Sequence, residues 1–210
     1  LFDPDRVSAE RMINLAQEWR LPDGVPVIMQ PGRVTRWKGH TLLIEALAEL
    51  SDLDFRVLFV GNSGGKESFK TALETQGARL GVADRLHFVG TCRDMPAAYK
   101  VADVVVSPTL TPEPFGRTVV EAQAMGRPVV VSDHGGHRET VIDGETGWRV
   151  APNDAAALAA ALRAALSLDE RRRGTIADAG IANARDHFSN FDMCARTLSV
   201  YRELLTDANP

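Results

Sequence analysis

Apolar runs of two kinds alternate along this chain. Val27-Ile28-Met29, residues 55–60, 86–89, 104–106, 128–131 and 147–150 are short, mostly apolar and rich in β-branched residues. Between them, apolar positions recur at helical spacing, as in Leu42, Leu43, Ala46, Leu47 and Leu50. Ser8 is placed to cap a helix running to about residue 20, and Leu21-Pro22-Asp23-Gly24 ends it. Helices are expected over 67–80, 95–101, 116–125 and 136–142, with Gly81 and Gly126 as stops. Beyond Asn153 the pattern is helical throughout, over 155–166, 169–187 and 192–205.

A strand that is apolar at every position needs cover on both of its faces, which is the condition of a parallel sheet. Strand–helix alternation with short connections supplies that cover. The expected fold class is therefore α/β, a doubly wound Rossmann-like parallel sheet followed by C-terminal helices. The Ala-rich stretch 155–165 reads as a closely packed helix rather than a linker.

Composition narrows the functional classes. With 24 basic and 28 acidic residues the net charge is −4, which argues against a nucleic-acid binder. Cys92 and Cys194 stand far apart in no metal-ligand spacing and read as reduced thiols. No apolar run is long enough to span a bilayer. The opening Leu1-Phe2-Asp3-Pro4, without an initiator Met, reads like the interior of a longer protein.

In an open parallel sheet, ligands bind beyond the carboxyl ends of the strands. The loop after the first strand, 31–39, carries Gly32, Arg33, Lys38 and Gly39, two cations among glycines that let a ligand approach the backbone; a diphosphate suits it. The loop after Val106 holds Pro108, Pro112 and Pro114, then Phe115-Gly116 opening a helix. Free N–H groups of Gly116, Arg117, Thr118 and Val119 would favour an anion there. Glu113 and Glu121 flank this start. Carboxylates repel a diphosphate, so hydroxyl groups are their expected partners: a ribose diol for Glu121, the sugar for Glu113.

The loop 132–139 contains Gly135-Gly136 with His134 and His137, and Glu139 reads as a structural tie or helix cap. A metal site there would need the spacing of a known motif, which is absent. Residues 61–66 are glycine-rich but lack the Gly-Lys-Ser/Thr ending of a phosphate loop. Asp3-x-Asp5 and Asp52-x-Asp54 read as surface acids.

Three signals in order, Gly32-Arg33-x4-Lys38-Gly39, Glu113-x7-Glu121 around Phe115-Gly116, and Gly126-x-Pro128-Val129-Val130, resemble the group 1 (family 4) retaining glycosyltransferases. The likeness continues through Asp133-x-Gly135-Gly136-x-x-Glu139 and Asp143-Gly144-x3-Gly147 to Phe188-Ser189 and Val200-Tyr201. It implies one half of a GT-B architecture, in which two Rossmann-like domains face each other across a cleft. Residues 1–190 would form the nucleotide-sugar-binding domain, and 191–210 a helix that packs on an absent N-terminal domain carrying the acceptor site.

By the same resemblance, Arg33 and Lys38 hold the donor diphosphate, Glu113 meets the transferred sugar and Glu121 binds the ribose. Gly32, Phe115, Gly116, Arg117, Thr118 and Val119 complete the donor site. No metal and no cofactor are implied. The expected partner is a nucleoside-diphosphate sugar; the protein would be cytoplasmic, with peripheral association at the inner membrane face open to the full-length form. The isolated domain is expected to transfer little. Departures from the family pattern are Arg138 where proline is usual, Thr109 where serine is common, and an additional Pro112. Two alternatives use related folds: a sugar-nucleotide epimerase of GT-B architecture, and a Rossmann-type oxidoreductase. The second requires a G-x-G-x-x-G fingerprint that 32–39 does not supply.

Overall fold

The computed structural model describes residues 2–65 and 67–207. Six parallel strands form one sheet: β1 (Val27–Pro31), β2 (Arg56–Val60), β3 (Leu86–Gly90), β4 (Val104–Ser107), β5 (Val129–Ser132) and β6 (Gly147–Val150). Their order across the sheet is β3-β2-β1-β4-β5-β6. The order reverses between β1 and β4, so the loops after these two strands flank the switch-point crevice.

The helices are α1 (Ala9–Glu18), α2 (His40–Ala48), α3 (Glu67–Arg79), α4 (Met95–Val101), α5 (Arg117–Ala124), α6 (His137–Thr140), α7 (Ala155–Leu166), α8 (Glu170–His187) and α9 (Asn190–Asp207). Ser8 caps α1 by accepting from the Arg11 N–H. The acids Asp94, Asp154 and Asp169 cap α4, α7 and α8 in the same way. Strand β1 runs two residues further than the apolar pattern predicts, because Gln30 and Pro31 continue the register with Phe59 and Val60. Its pairing with β4 ends at Met29–Val105, so the missing N–H of Pro31 leaves no gap in that ladder.

Adjacent strand residues feed opposite cores. Ile28, Val57, Phe59, Val104, Val106, Val130 and Val150 pack beneath α2, α3 and α7. Val27, Met29, Leu58, Val60, Val105, Val129 and Val131 pack beneath α1, α4 and α5. Each large side chain fully withdrawn from water contributes ~1.5–3 kcal/mol, so the uninterrupted apolar strands are accounted for by two faces of cover. Helix α8 lies across α5, where the buried Asn183 amide donates to Gln123 Oε1 (2.7 Å) and to the Thr140 carbonyl (3.1 Å). That bond set fixes α5 from behind. Helix α9 differs: its side chains from residue 193 to 206 are all exposed, including Met193, Leu198, Tyr201, Leu204 and Leu205.

Candidate functional site

The loops at the carboxyl ends of the strands are bonded to one another. The Gly32 N–H donates to the Val60 carbonyl (2.8 Å) and Val34 N–H to that of Asn62 (2.9 Å), joining the β1 and β2 loops. Leu110 N–H donates to the Trp37 carbonyl (2.8 Å), joining β4 to β1, and Gly136 N–H to the Glu113 carbonyl (2.7 Å), joining β5 to β4. Gly136 has ordinary helical angles, but a Cβ there would fall 2.6 Å from the Phe115 backbone. It is glycine for lack of space.

Two residues 75 positions apart meet at the switch point. Lys38 Nζ lies 2.5 Å from Glu113 Oε2, and both side chains are largely withdrawn from solvent. The Lys38 chain passes Gly32, with Cε 3.8 Å from where a Cβ would sit, and its ammonium lies 4.2 Å from the Trp37 ring centroid. The loop that carries it rests on buried polar groups: Gln30 Nε2 donates to the Lys38 carbonyl (2.7 Å), and His40 Nδ1 lies 3.2 Å from the Thr35 carbonyl. Burial lowers the His40 pKa to about 4. Arg33 precedes Lys38 on the loop; it is exposed, and no hydrogen bond or ion pair among the described residues uses its guanidinium.

Gly116 stands where β4's loop enters α5, at φ +90°, with its Cβ position 2.9 Å from His137 Cδ2 and 3.8 Å from Glu113 Cγ. Only glycine satisfies both that left-handed angle and that contact. The N–H groups of Gly116, Arg117 and Thr118 have no acceptor among the described residues. Val119 corrects the expectation of four free groups: its N–H donates to the Gly116 carbonyl (2.9 Å), because the first turn closes tightly on a left-handed cap. Three donors at a helix start remain for an anion.

Around this point two histidines meet two hydroxyls. His137 Nδ1 lies 3.2 Å from the Ser132 carbonyl and Nε2 3.3 Å from Ser107 Oγ. The carbonyl requires a proton on Nδ1, so Nε2 accepts from the serine. Burial above all lowers the His137 pKa to about 4, opposed by its hydrogen bond to Ser132 and the charge of Glu113. His134 Nε2 lies 2.9 Å from Thr109 Oγ1. Both histidines are thus committed to hydroxyls, and among the described residues no group of three or more His, Cys, Asp or Glu is placed to hold a metal ion.

Arg138 donates to the Asp133 carbonyl (3.1 Å) and to its carboxylate (3.2 Å), bracing the same loop. Glu139, expected to tie or cap, does neither: its side chain is exposed and α6 starts without a side-chain cap. The histidines and Arg138 do that work. Glu121, in the second turn of α5, accepts from Tyr99 Oη at 2.9 Å through Oε2 and lies 3.3 Å from Arg117 Nη2 through Oε1. The Phe115 ring lies edge-on to Phe188 at 5.7 Å; Thr118 is half-buried. In the glycine-rich 61–66 segment, Lys66 lies outside the described residues.

The structure brings together Lys38, Glu113 and Gly116, three positions singled out from the sequence, and sets Glu121 against Tyr99; the places of Gln30, Tyr99 and the histidine–hydroxyl ties were not foreseen. A buried tyrosine must have a partner for its hydroxyl; nothing in linear order says which.

The family model for glycosyl transferases group 1 matches residues 12–180. Among curated relatives, the D-inositol 3-phosphate glycosyltransferase of Xylanimonas cellulosilytica is 35% identical over 191 residues, covering 90% of this chain and 45% of its own length. This chain therefore spans about half the length of the curated relatives it matches. A crystallised glycosyltransferase from Rickettsia africae superposes with TM-score 0.94 at 33% identity, over 97% of this chain and 54% of that one. Anabaena Alr3699/HepE, crystallised with UDP-glucose, superposes with TM-score 0.85 at 31% identity, over 95% and 56% respectively.

Proposed function

The chain belongs to the glycosyl transferases of group 1 and has the Rossmann-like fold of their GT-B members, and from that premise we propose that it is the donor-binding half of a retaining glycosyltransferase. The observation that carries the proposal is the meeting of Lys38, Glu113 and the open N–H groups of Gly116–Thr118 at the switch point. A diphosphate seated there faces the Lys38 ammonium, the Arg33 guanidinium of the same loop and the start of α5. The kinship with a UDP-glucose-binding protein supports a nucleoside-diphosphate sugar as donor.

The chemistry follows from charge placement. As the bond between the sugar C1 and the diphosphate oxygen breaks, negative charge grows on the leaving group, where Lys38 and Arg33 stabilise it without a metal ion. The acceptor oxygen bonds to C1 on the face the diphosphate leaves, and its proton passes to the departing phosphate. Glu113, paired with Lys38, fixes the ammonium and offers its free lone pairs to sugar hydroxyls. Glu121 takes the ribose. Helix α9, apolar and uncovered, packs in the full-length protein on the N-terminal half that brings the acceptor; residues 208–210 of that segment lie outside the described residues. The same reading places the full-length protein in the cytoplasm, peripheral to the inner face of the membrane. No described helix is long and apolar enough to cross a membrane.

A thermal-shift series with UDP, GDP, ADP and NAD tests donor class. A nucleoside diphosphate at 100 times its Kd should stabilise the chain by about 2.7 kcal/mol, with no response to NAD. In the full-length enzyme, Lys38→Ala should lower kcat at least ~10-fold, and the product should keep the donor's anomeric configuration by NMR. An epimerised nucleotide sugar, or unchanged turnover, would remove the transfer reading.

A further inference from the structure

Tyr99 is among the largest fully buried side chains of the described residues, and it stands on α4, which carries none of the residues assigned above. Its ring packs with Val105, Val119 and Ala122 and meets Phe2 edge-on at 5.9 Å. Its hydroxyl crosses to the neighbouring helix and donates to Glu121 Oε2 at 2.9 Å. Tyr99 and Glu121 are each the fifth residue of a helix that starts at a strand's carboxyl end, so they lie at the same depth below the site.

A buried phenol needs one acceptor, and a backbone carbonyl would satisfy it. Here the acceptor is a carboxylate that keeps 17% of its side-chain surface open to solvent. Among the described residues its other oxygen, Oε1, is met only by Arg117, whose side chain is 81% exposed at i,i+4 spacing. Exposed pairs of this type contribute little and are readily exchanged. One oxygen is thus anchored from beneath, and the other is held by a partner free to swing away.

We propose that Tyr99 is a positioning residue for ribose recognition: its hydroxyl locks the Glu121 carboxylate so that Oε1 and the spare lone pair of Oε2 receive the vicinal hydroxyls of the nucleotide. Arg117 yields its place to that diol. The Tyr99 hydroxyl stays protonated, since burial and the adjacent Glu121 charge raise its pKa well above the ordinary tyrosine value. The inference rests on the assignment of Glu121 to the ribose.

Tyr99→Phe removes one oxygen and keeps the packed ring. Calorimetric titration compares UDP, or the tightest binder among UDP, GDP and ADP, with its 2′,3′-dideoxy analogue, which has no diol. Tyr99→Phe should weaken binding of the ribose-containing ligand about tenfold, the equivalent of ~1.4 kcal/mol, and leave the dideoxy analogue within about twofold. Glu121→Gln should give the same pattern. If Tyr99→Phe weakens both ligands equally, or neither, while Glu121→Gln still discriminates, Tyr99 is packing alone and the inference fails. If Glu121→Gln does not discriminate either, the ribose assignment itself is wrong. A melting curve of each variant confirms that the comparison is between folded proteins.

Discussion

Along the strand-end rim, polar side chains find partners across loops, while along α9 apolar side chains go uncovered. His134 meets Thr109, His137 meets Ser107, Lys38 meets Glu113, Tyr99 meets Glu121, and the loops exchange backbone bonds besides. On α9, Phe191, Leu204 and Leu205 are 85%, 62% and 70% exposed. The first region is complete within this chain and preorganised for a ligand, so little ordering cost remains when one arrives. The second has its apolar face but nothing to bury it against. The proposed donor site is finished here; the proposed interface is half made.

Acidification should disturb the first region most. His40 and His137 have pKa values of about 4 in the folded protein against 6.5 when unfolded. The unfolded chain therefore binds more protons between those values, and stability present above pH 6.5 falls as pH drops toward 4. The loss should approach roughly 3 kcal/mol per histidine, read as a falling denaturant midpoint between pH 7 and 4.5. A flat profile would mean that neither ring is held neutral.

A smaller effect is expected from Gly136→Ala, whose added methyl meets the Phe115 backbone. Chemical denaturation should show a loss of ~1–3 kcal/mol, and nucleoside-diphosphate binding should weaken as the Glu113 loop shifts. The smallest effect belongs to α9. Leu204→Gln with Leu205→Gln should leave the stability of this chain within about 0.5 kcal/mol yet lower that of the full-length protein. Equal effects in both would erase the contrast between the two regions.

The fold was legible because its signals are local. Uninterrupted Val-rich runs announce strands covered on both faces, Gly81 and Gly126 mark helix ends, and the strand–helix rhythm fixes the sheet type. The proposed site was legible where a position depends on distance from a strand end, as for Arg33, Lys38, Glu113, Gly116 and Glu121. Pairings set by the third dimension were not. Lys38 and Glu113 are far apart in sequence, and Tyr99 reaches Glu121 only because α4 and α5 share a face. His134 and His137 stand close in sequence, but their hydroxyl partners, Thr109 and Ser107, come from the β4 segment. Thr109, a departure from the family pattern, meets His134 of the next loop. Glu139 shows the converse: a residue at the right spacing that is exposed and makes no side-chain hydrogen bond or ion pair among the described residues.

In the proposed binding mode one diphosphate is gripped from two sides, by the cations of the β1 loop and by the start of α5. A crystal structure of this chain with a bound nucleoside diphosphate tests it most directly. Phosphate oxygens should lie within hydrogen-bond distance of Lys38 Nζ and of the Gly116–Thr118 N–H groups, with the ribose hydroxyls on Glu121. A diphosphate bound elsewhere, with the Lys38–Glu113 pair untouched, would contradict it.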